Sequence, residues 1–429
     1  MKIAYFSPLS PIKSGISEYS ENELLPYLSK YCNIDIIIDE GYSPKNESIV
    51  TNFNIIRNNK FENTYDVILY HIGNNSYHEY AYKLALTNPG VVVLHDPFIG
   101  HLITGMTIGK NDGKGYIEIM KYCIGPEGVN IADKAISNNT YPFFEYPLAK
   151  KITDSSIAII VHSEFAKKII QKENPTAFIK LIQMPISLPD IQYDPKIKKD
   201  LKIPDDYLIL GTFGYVGFHK RIKIMLRAFA KFLQNNPKSV FIIAGSYLNK
   251  EYENEIQDLI KDLDISNNVI QTGEVPNLLP YIKISNIVVQ LRYPTAGETS
   301  IITLQLMGMG KPVIVSNVGS FSELPDNAVV KINVDDYEEE SILNALIKMV
   351  SSKNYLNSLI TNSKKYVADK HNPDRIASEF AKFLFIASNR HALDYLKKFA
   401  NYLADLGLDE NCGQYVDELS KIVRGTVFA

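Results

Sequence analysis

Short apolar runs recur along the first half of the chain, at residues 2–6, 33–38, 53–56, 65–71, 91–95 and 156–162. They are continuous stretches of Ile, Val, Leu and aromatic residues with little alternation of polar and apolar positions, the pattern of strands buried on both faces of a parallel sheet. Between some of them, residues 18–28, 77–86 and 164–171 read as helices. Strand and helix in alternation predict a doubly wound α/β sheet. The second half repeats the pattern with strands at 207–213, 239–244, 268–272, 286–291, 312–315 and 328–332. Its clearest helix is 221–233, where Ile222, Met225, Leu226, Phe229, Phe232 and Leu233 recur at helical spacing. Residues 184–195 are rich in proline and residues 196–202 in lysine, which reads as a hinge. The predicted architecture is α/β, with two doubly wound, Rossmann-like domains at 1–190 and 191–375 and a helical tail at 376–429. In the tail Ile376, Phe380, Phe383 and Leu384 share one side, followed by Leu393, Leu396, Phe399 and Leu403. An insert of mixed character fills 98–154, and its aromatic run at 141–146 is expected to pack internally.

Composition narrows the function classes. The 429 residues are 45% hydrophobic and 22% charged, enough for two cores. A net charge of -3 and a pI near 6.3 give no basic excess for nucleic acid, although a local basic patch would suffice for peripheral contact with an anionic membrane. Cys32, Cys123 and Cys412 are too far apart for a zinc spacing or a disulfide framework, which fits a reducing, cytoplasmic setting. The first apolar run ends at once in Ser7-Pro8, too short for a signal peptide, and no run reaches the roughly 20 residues of a spanning helix. Asp262-Leu263-Asp264 closes a charged helix, so no metal site is assigned to it.

Residues 292–316 carry the most chemistry: a strand exit, the loop Arg292-Tyr-Pro-Thr-Ala-Gly-Glu298, a helix capped by Thr299 or Ser300, a stop at Gly308 and Gly310, and the strand opened by Pro312. Glu298 is therefore set at a helix mouth. Unpaired N–H groups and the helix dipole favour an anion there, while Glu298 accepts hydrogen bonds from hydroxyls, a combination that suits a sugar phosphate. Lys220 and Arg221 sit at a second helix mouth, where basic side chains would clamp phosphate. His71, His78, His95 and Asp96 stand near ends of first-half strands, the side on which parallel sheets bind ligands. His71 and His78 are read as structural or supporting histidines, and Ser163 as a helix cap.

The 292–316 stretch resembles the donor motif of glycosyltransferase family 4, retaining enzymes of the GT-B fold, in the bacterial version with Gly297-Glu298-Thr299-Ser300. The resemblance covers about residues 1–385 and implies that the two domains face each other across a cleft, with the tail crossing back onto the first. The commoner motif has two glutamates; aligned on Gly310-Lys311-Pro312, the first falls on Gly297, beside Glu298, and the second on Gln305. By resemblance Glu298 addresses the donor sugar, and Gln305 stands where the family contacts the ribose. Ser14-Gly15-Ile16 matches a loop touching the donor diphosphate from the opposite domain, and His95-Asp96 matches the family's His-Asp facing acceptor and donor sugar. Lys220 matches a basic residue of the phosphate loop, whereas Tyr215 replaces an arginine common there.

These readings imply a cytoplasmic, metal-independent retaining glycosyltransferase, with catalytic His95 and Glu298 and with Gly15, Lys220, Arg221, Gly297, Glu298, Thr299, Ser300 and Gln305 binding the donor. A nucleoside diphosphate sugar is the substrate, no cofactor is expected, and the acceptor is a glycan, a lipid-linked sugar or another hydroxyl compound. Rival readings are a GT-B epimerase or phosphorylase-like enzyme, and a non-catalytic subunit that supports an active transferase.

Overall fold

In each half the strand order reverses at the first strand, and this decides where the loops converge. The computed structural model of the chain describes residues 1–188 and 196–405. Pro189 and Pro195 of the expected hinge and the tail beyond 405 lie outside it, as do the side chains of Leu393, Leu396, Phe399 and Leu403.

The first sheet contains β1 (Lys2–Phe6), β2 (Asn33–Ile38), β3 (Asn54–Arg57), β4 (Val67–Ile72), β5 (Val91–Leu94), β6 (Ala158–Val161) and β7 (Ile179–Leu181) in the order β3-β2-β1-β4-β5-β6-β7. The second contains β8 (Leu208–Phe213), β9 (Ser239–Ala244), β10 (Val269–Gly273), β11 (Ile287–Gln290), β12 (Val313–Ser316) and β13 (Val330–Ile332) in the order β10-β9-β8-β11-β12-β13. Every pairing between these strands is parallel. The protein is thus built from two parallel-sheet α/β domains, as expected. β4, β5, β6, β9, β11 and β12 are buried along their whole length, which is why their sequences are uninterrupted apolar runs. β7 was not expected. It is a three-residue edge strand, Ile-Lys-Leu, only half-buried and without the apolar run that marks the central strands.

The helix expected at 18–28 begins earlier, and its middle is π-helical at Tyr19–Leu24, between α-helical turns at Gly15–Glu18 and Leu25–Leu28. Pro26 explains part of this, because it has no N–H to donate back to the preceding turn. The Asn22 carbonyl accepts from the Ser187 hydroxyl at 3.3 Å instead.

The helix Pro373–Asp405 follows the second sheet in sequence but packs on the first. Asp374 accepts from Lys30 at 2.8 Å and from the Tyr31 hydroxyl at 3.1 Å, Glu379 pairs with Lys180 at 3.1 Å, and Phe383 lies against Phe178. Ile376, Phe380, Phe383 and Leu384 are buried, with Ala377 and Ala387 beside them, on the side that the sequence periodicity selects. Among the described residues no helix is long and apolar enough to cross a membrane. The aromatic run at 141–146 is half-buried, with Phe143 stacked on His101 at 3.9 Å between ring centres.

Candidate active site

β1 lies between β2 and β4, and β8 between β9 and β11, so the loops leaving β1, β4, β8 and β11 diverge around two switch points, where open parallel sheets bind ligands. The two sets of loops meet. The Phe98 N–H donates to the Ala296 carbonyl at 3.3 Å, Lys13 pairs with Glu274, and Glu323 accepts from the backbone N–H groups of Glu164, at 2.9 Å, and Phe165.

On the second domain, Lys220 ends the short turn Phe218–Lys220 and is only 6% exposed. No hydrogen bond or ion pair engages its ammonium among the described residues. Burial pushes its pKa well below the usual lysine value, and the nearby Arg292 charge pushes the same way. Arg221, expected to act beside it, is engaged elsewhere. It takes a left-handed backbone at φ 56°, and its guanidinium is held by the buried Glu338 carboxylate through Nε at 2.8 Å and a second contact from Nη2. The side chain braces the start of the helix Ile222–Leu233.

Ser300, not Thr299, caps the helix Ile301–Gly308, accepting from the Thr303 N–H at 3.4 Å. Gly297 has φ +82°, a conformation that strains any residue with a β-carbon. The Glu298 carboxylate accepts from the Thr295 hydroxyl at 3.0 Å and forms an ion pair with Arg292. Gln305 donates from Nε2 to Glu23 of the first domain at 3.3 Å, and Glu23 also accepts from the Ser187 N–H.

Arg292 is the residue that motif reading passed over. It leaves β11 at the switch point with its side chain 14% exposed, its guanidinium over the Phe321 ring and its Nε buried without a partner. Burial lowers its pKa to about 10, against the pull of Asp96. Its position at a strand exit was visible; that β11 neighbours β8, and so Lys220, was not.

On the first domain, Ser14 caps the helix that starts at Gly15, and a β-carbon on Gly15 would meet open space, so the backbone there is approachable. His95 is 7% exposed and joins a cluster of histidines around Tyr19. Its Nε2 shares a hydrogen bond with His71 Nδ1 at 3.1 Å, and His78 Nδ1 contacts the His71 carbonyl at 2.8 Å, which gives both the supporting place expected of them. Burial pushes His71 and His95 well below the usual imidazole range, and His78 and His162 to about 4, so at neutral pH all four rings are uncharged. Asp96 accepts from the Asn74 N–H at 2.9 Å, and burial raises its carboxyl to about 6 despite that bond and the Arg292 charge. Ser163 caps its helix, accepting from the Ala166 N–H at 3.1 Å. Among the described residues no group of three or more His, Cys, Asp or Glu side chains is arranged to hold a metal ion.

The structure is similar to that of Anabaena HepE in complex with UDP and glucose, with a TM-score of 0.62 at 15% identity, covering 90% of this chain and 99% of that one. The fold is GT-B. A second GT-B neighbour is sucrose-phosphate synthase from Thermosynechococcus elongatus, with a TM-score of 0.62 at 15% identity, covering 93% of this chain and 99% of that one. Residues 194–366, which include Lys220 and the Glu298 loop, match the family model described as glycosyl transferases group 1. An uncharacterized glycosyltransferase of Methanocaldococcus jannaschii is 28% identical over 203 residues, 46% of this chain and 50% of that protein. The chain spans about half the length of the curated relatives it matches.

Proposed function

We propose that the protein is a retaining glycosyltransferase that moves a sugar from a nucleoside diphosphate sugar to the hydroxyl of a glycan, lipid-linked or other acceptor. The observation that carries this reading is the docking of the His95–Phe98 loop on Ala296 and Gly297, through the Phe98 bond to the Ala296 carbonyl and the close approach of Pro97 to Gly297. The loops that carry His95 and Glu298 thereby meet from opposite domains, and in this reading the two side chains share one site with the Lys220 ammonium. The group 1 match over the second domain and the UDP complex of the HepE neighbour agree with it.

In this reading Lys220 and the N–H groups of Thr299 and Ser300 face the diphosphate, while the Gly297 N–H is spent on the Thr295 hydroxyl at 3.0 Å and shapes the loop; Gly15 closes from the other domain, and the departing charge is stabilised by fixed cations and dipoles without a divalent metal. Glu298 holds the sugar's hydroxyls, and neutral His95 lines the other side of the sugar. The bond from the anomeric carbon to the diphosphate oxygen breaks, the acceptor oxygen bonds on the same face, and the acceptor's proton passes to an oxygen of the leaving diphosphate. Arg221 contributes by fixing the Lys220 turn through Glu338, and Gln305 by tying the donor helix to Glu23.

The test starts with a thermal-shift panel of nucleotide sugars to identify the donor, followed by a diphosphate-release assay. His95→Ala and Glu298→Gln are expected to lower turnover at least about a hundredfold without a comparable loss of nucleoside diphosphate affinity. A non-catalytic subunit is the second reading, favoured because Arg221 and Gln305, both expected on the donor, are bonded within the protein. Donor binding with turnover only beside a second protein selects it.

A further inference from the structure

Two cations of the second domain stand side by side because β8 and β11 are neighbours. The Tyr293 N–H donates to the His219 carbonyl at 2.8 Å, which ties the loop after β11 to the turn that carries Lys220. Arg292 precedes Tyr293 and Lys220 follows His219. Lys220 is more than nine-tenths buried and has no acceptor for its ammonium, while Arg292 gives an Nη1 to Glu298 and keeps a buried Nε unpaired.

We propose that Arg292 is the second cation of a diphosphate site whose first is Lys220, and that Glu298 competes with the diphosphate for Arg292. The proposal rests on the reading that the cleft takes a nucleoside diphosphate. Buried like charges this close disfavour each other: Arg292 lowers the tendency of Lys220 to hold a proton, and both lower that of His219. A multiply charged anion bridging them removes that cost and supplies acceptors for donors that have none. Gly214, at φ +93° with its missing β-carbon 4.0 Å from Lys220 Nζ, leaves backbone space at the ammonium. Tyr215, 53% exposed, brings no cation to the loop.

The arrangement couples the two halves of the donor. Glu298 cannot serve Arg292 and the sugar's hydroxyls fully at once, so a diphosphate that takes Arg292 releases the carboxylate to the sugar. A free nucleoside diphosphate, with no sugar for Glu298 to hold, must displace it unaided. Glu298→Gln therefore tightens nucleoside diphosphate binding even as it impairs transfer, an effect opposite in sign to that of a lost ligand contact.

The experiment is calorimetric titration of UDP, GDP, ADP, CDP and dTDP into the wild type, then of whichever binds, and its parent nucleoside, into Arg292→Gln, Arg292→Lys, Glu298→Gln and the Arg292→Gln, Glu298→Gln double variant. Thermal melting confirms folding, and the double variant avoids leaving a buried carboxylate alone. Arg292→Gln is expected to weaken the diphosphate by at least about tenfold, the loss of one charge-assisted contact, with Arg292→Lys recovering part of it. Glu298→Gln should strengthen it severalfold, and the double variant should match Arg292→Gln, with the nucleoside unaffected throughout. Wild-type binding that survives Arg292→Gln, or an unimproved Glu298→Gln, overturns the proposal alone. Failure of the wild type to bind any of the five overturns both it and the transferase reading.

Discussion

Gly297 lies directly against Pro97 of the opposite domain: a β-carbon on Gly297 would fall 2.6 Å from Pro97 Cγ and 2.7 Å from Phe165 Cε1. At φ +82° that β-carbon would also strain the backbone. The Gly297 loop and the His95 loop therefore approach as closely as they do only because residue 297 has no side chain. Gly297→Ala is expected to hold the domains apart and to lower turnover by about a hundredfold, the scale of a misplacement near 1 Å. Small-angle scattering with donor present should show a larger radius of gyration than the wild type; full activity with wild-type dimensions would show that this contact does not govern closure.

Glu323 caps a helix of the other domain. Its carboxylate accepts from the N–H groups of Glu164 and Phe165, the first donors of the helix Glu164–Glu173, where a negative charge is also favoured by the dipole. Ser163 satisfies a third, the Ala166 N–H. Replacing Glu323 by Ala should cost roughly 1 kcal/mol of stability, and more of the closed state than of either domain alone. Hydrogen exchange checks this directly: faster exchange at Glu164 and Phe165 is expected, with the rest of the first sheet unchanged.

Asp96 binds its proton more tightly folded than unfolded, because burial outweighs the Asn74 bond and the Arg292 charge. Folding then takes up a proton between the ordinary value of 3.8 and the raised value of about 6, and the stability contributed by this residue falls as pH rises through that window. Asp96→Asn keeps an oxygen for the Asn74 N–H and removes the buried charge. The variant should melt higher than the wild type at pH 7.5, by on the order of 1–3 kcal/mol, with the gain shrinking toward pH 4. A gain of the same size at both pH values would locate its cause elsewhere.

Lys220 is shifted the other way from a surface lysine: burial, and then Arg292, favour its neutral form. A diphosphate placed against it favours the ammonium. Over pH values between the depressed pKa and the ordinary 10.5, binding must draw a proton onto Lys220. Calorimetry of nucleoside diphosphate binding at several pH values up to 10, in buffers of different ionisation enthalpy, should report net proton uptake that grows with pH and that Lys220→Met abolishes. Uptake unchanged in that variant would assign the proton to another group, with His219 as its neighbour in the turn.

What the sequence determined by itself is local. Buried parallel strands declare themselves as unbroken apolar runs, so β4, β5, β9, β11 and β12 were legible, whereas the half-buried edge strand Ile179–Leu181 was not. Turn and cap chemistry act over three or four residues, which is why the Gly297 loop, a cap at Thr299 or Ser300 and the place of Lys220 at a helix mouth could be read in advance, while the choice of Ser300 was left to the structure. Partners distant in sequence could not. Arg221 is taken by Glu338, 117 residues away, Gln305 reaches Glu23 across 282, and Glu323 caps a helix that begins 159 residues earlier. Arg292 stands beside Lys220 only because β11 was laid next to β8. Charges choose partners by proximity in space, and that proximity is set by strand order and by the packing of one domain on the other, neither of which leaves a periodic mark in the chain.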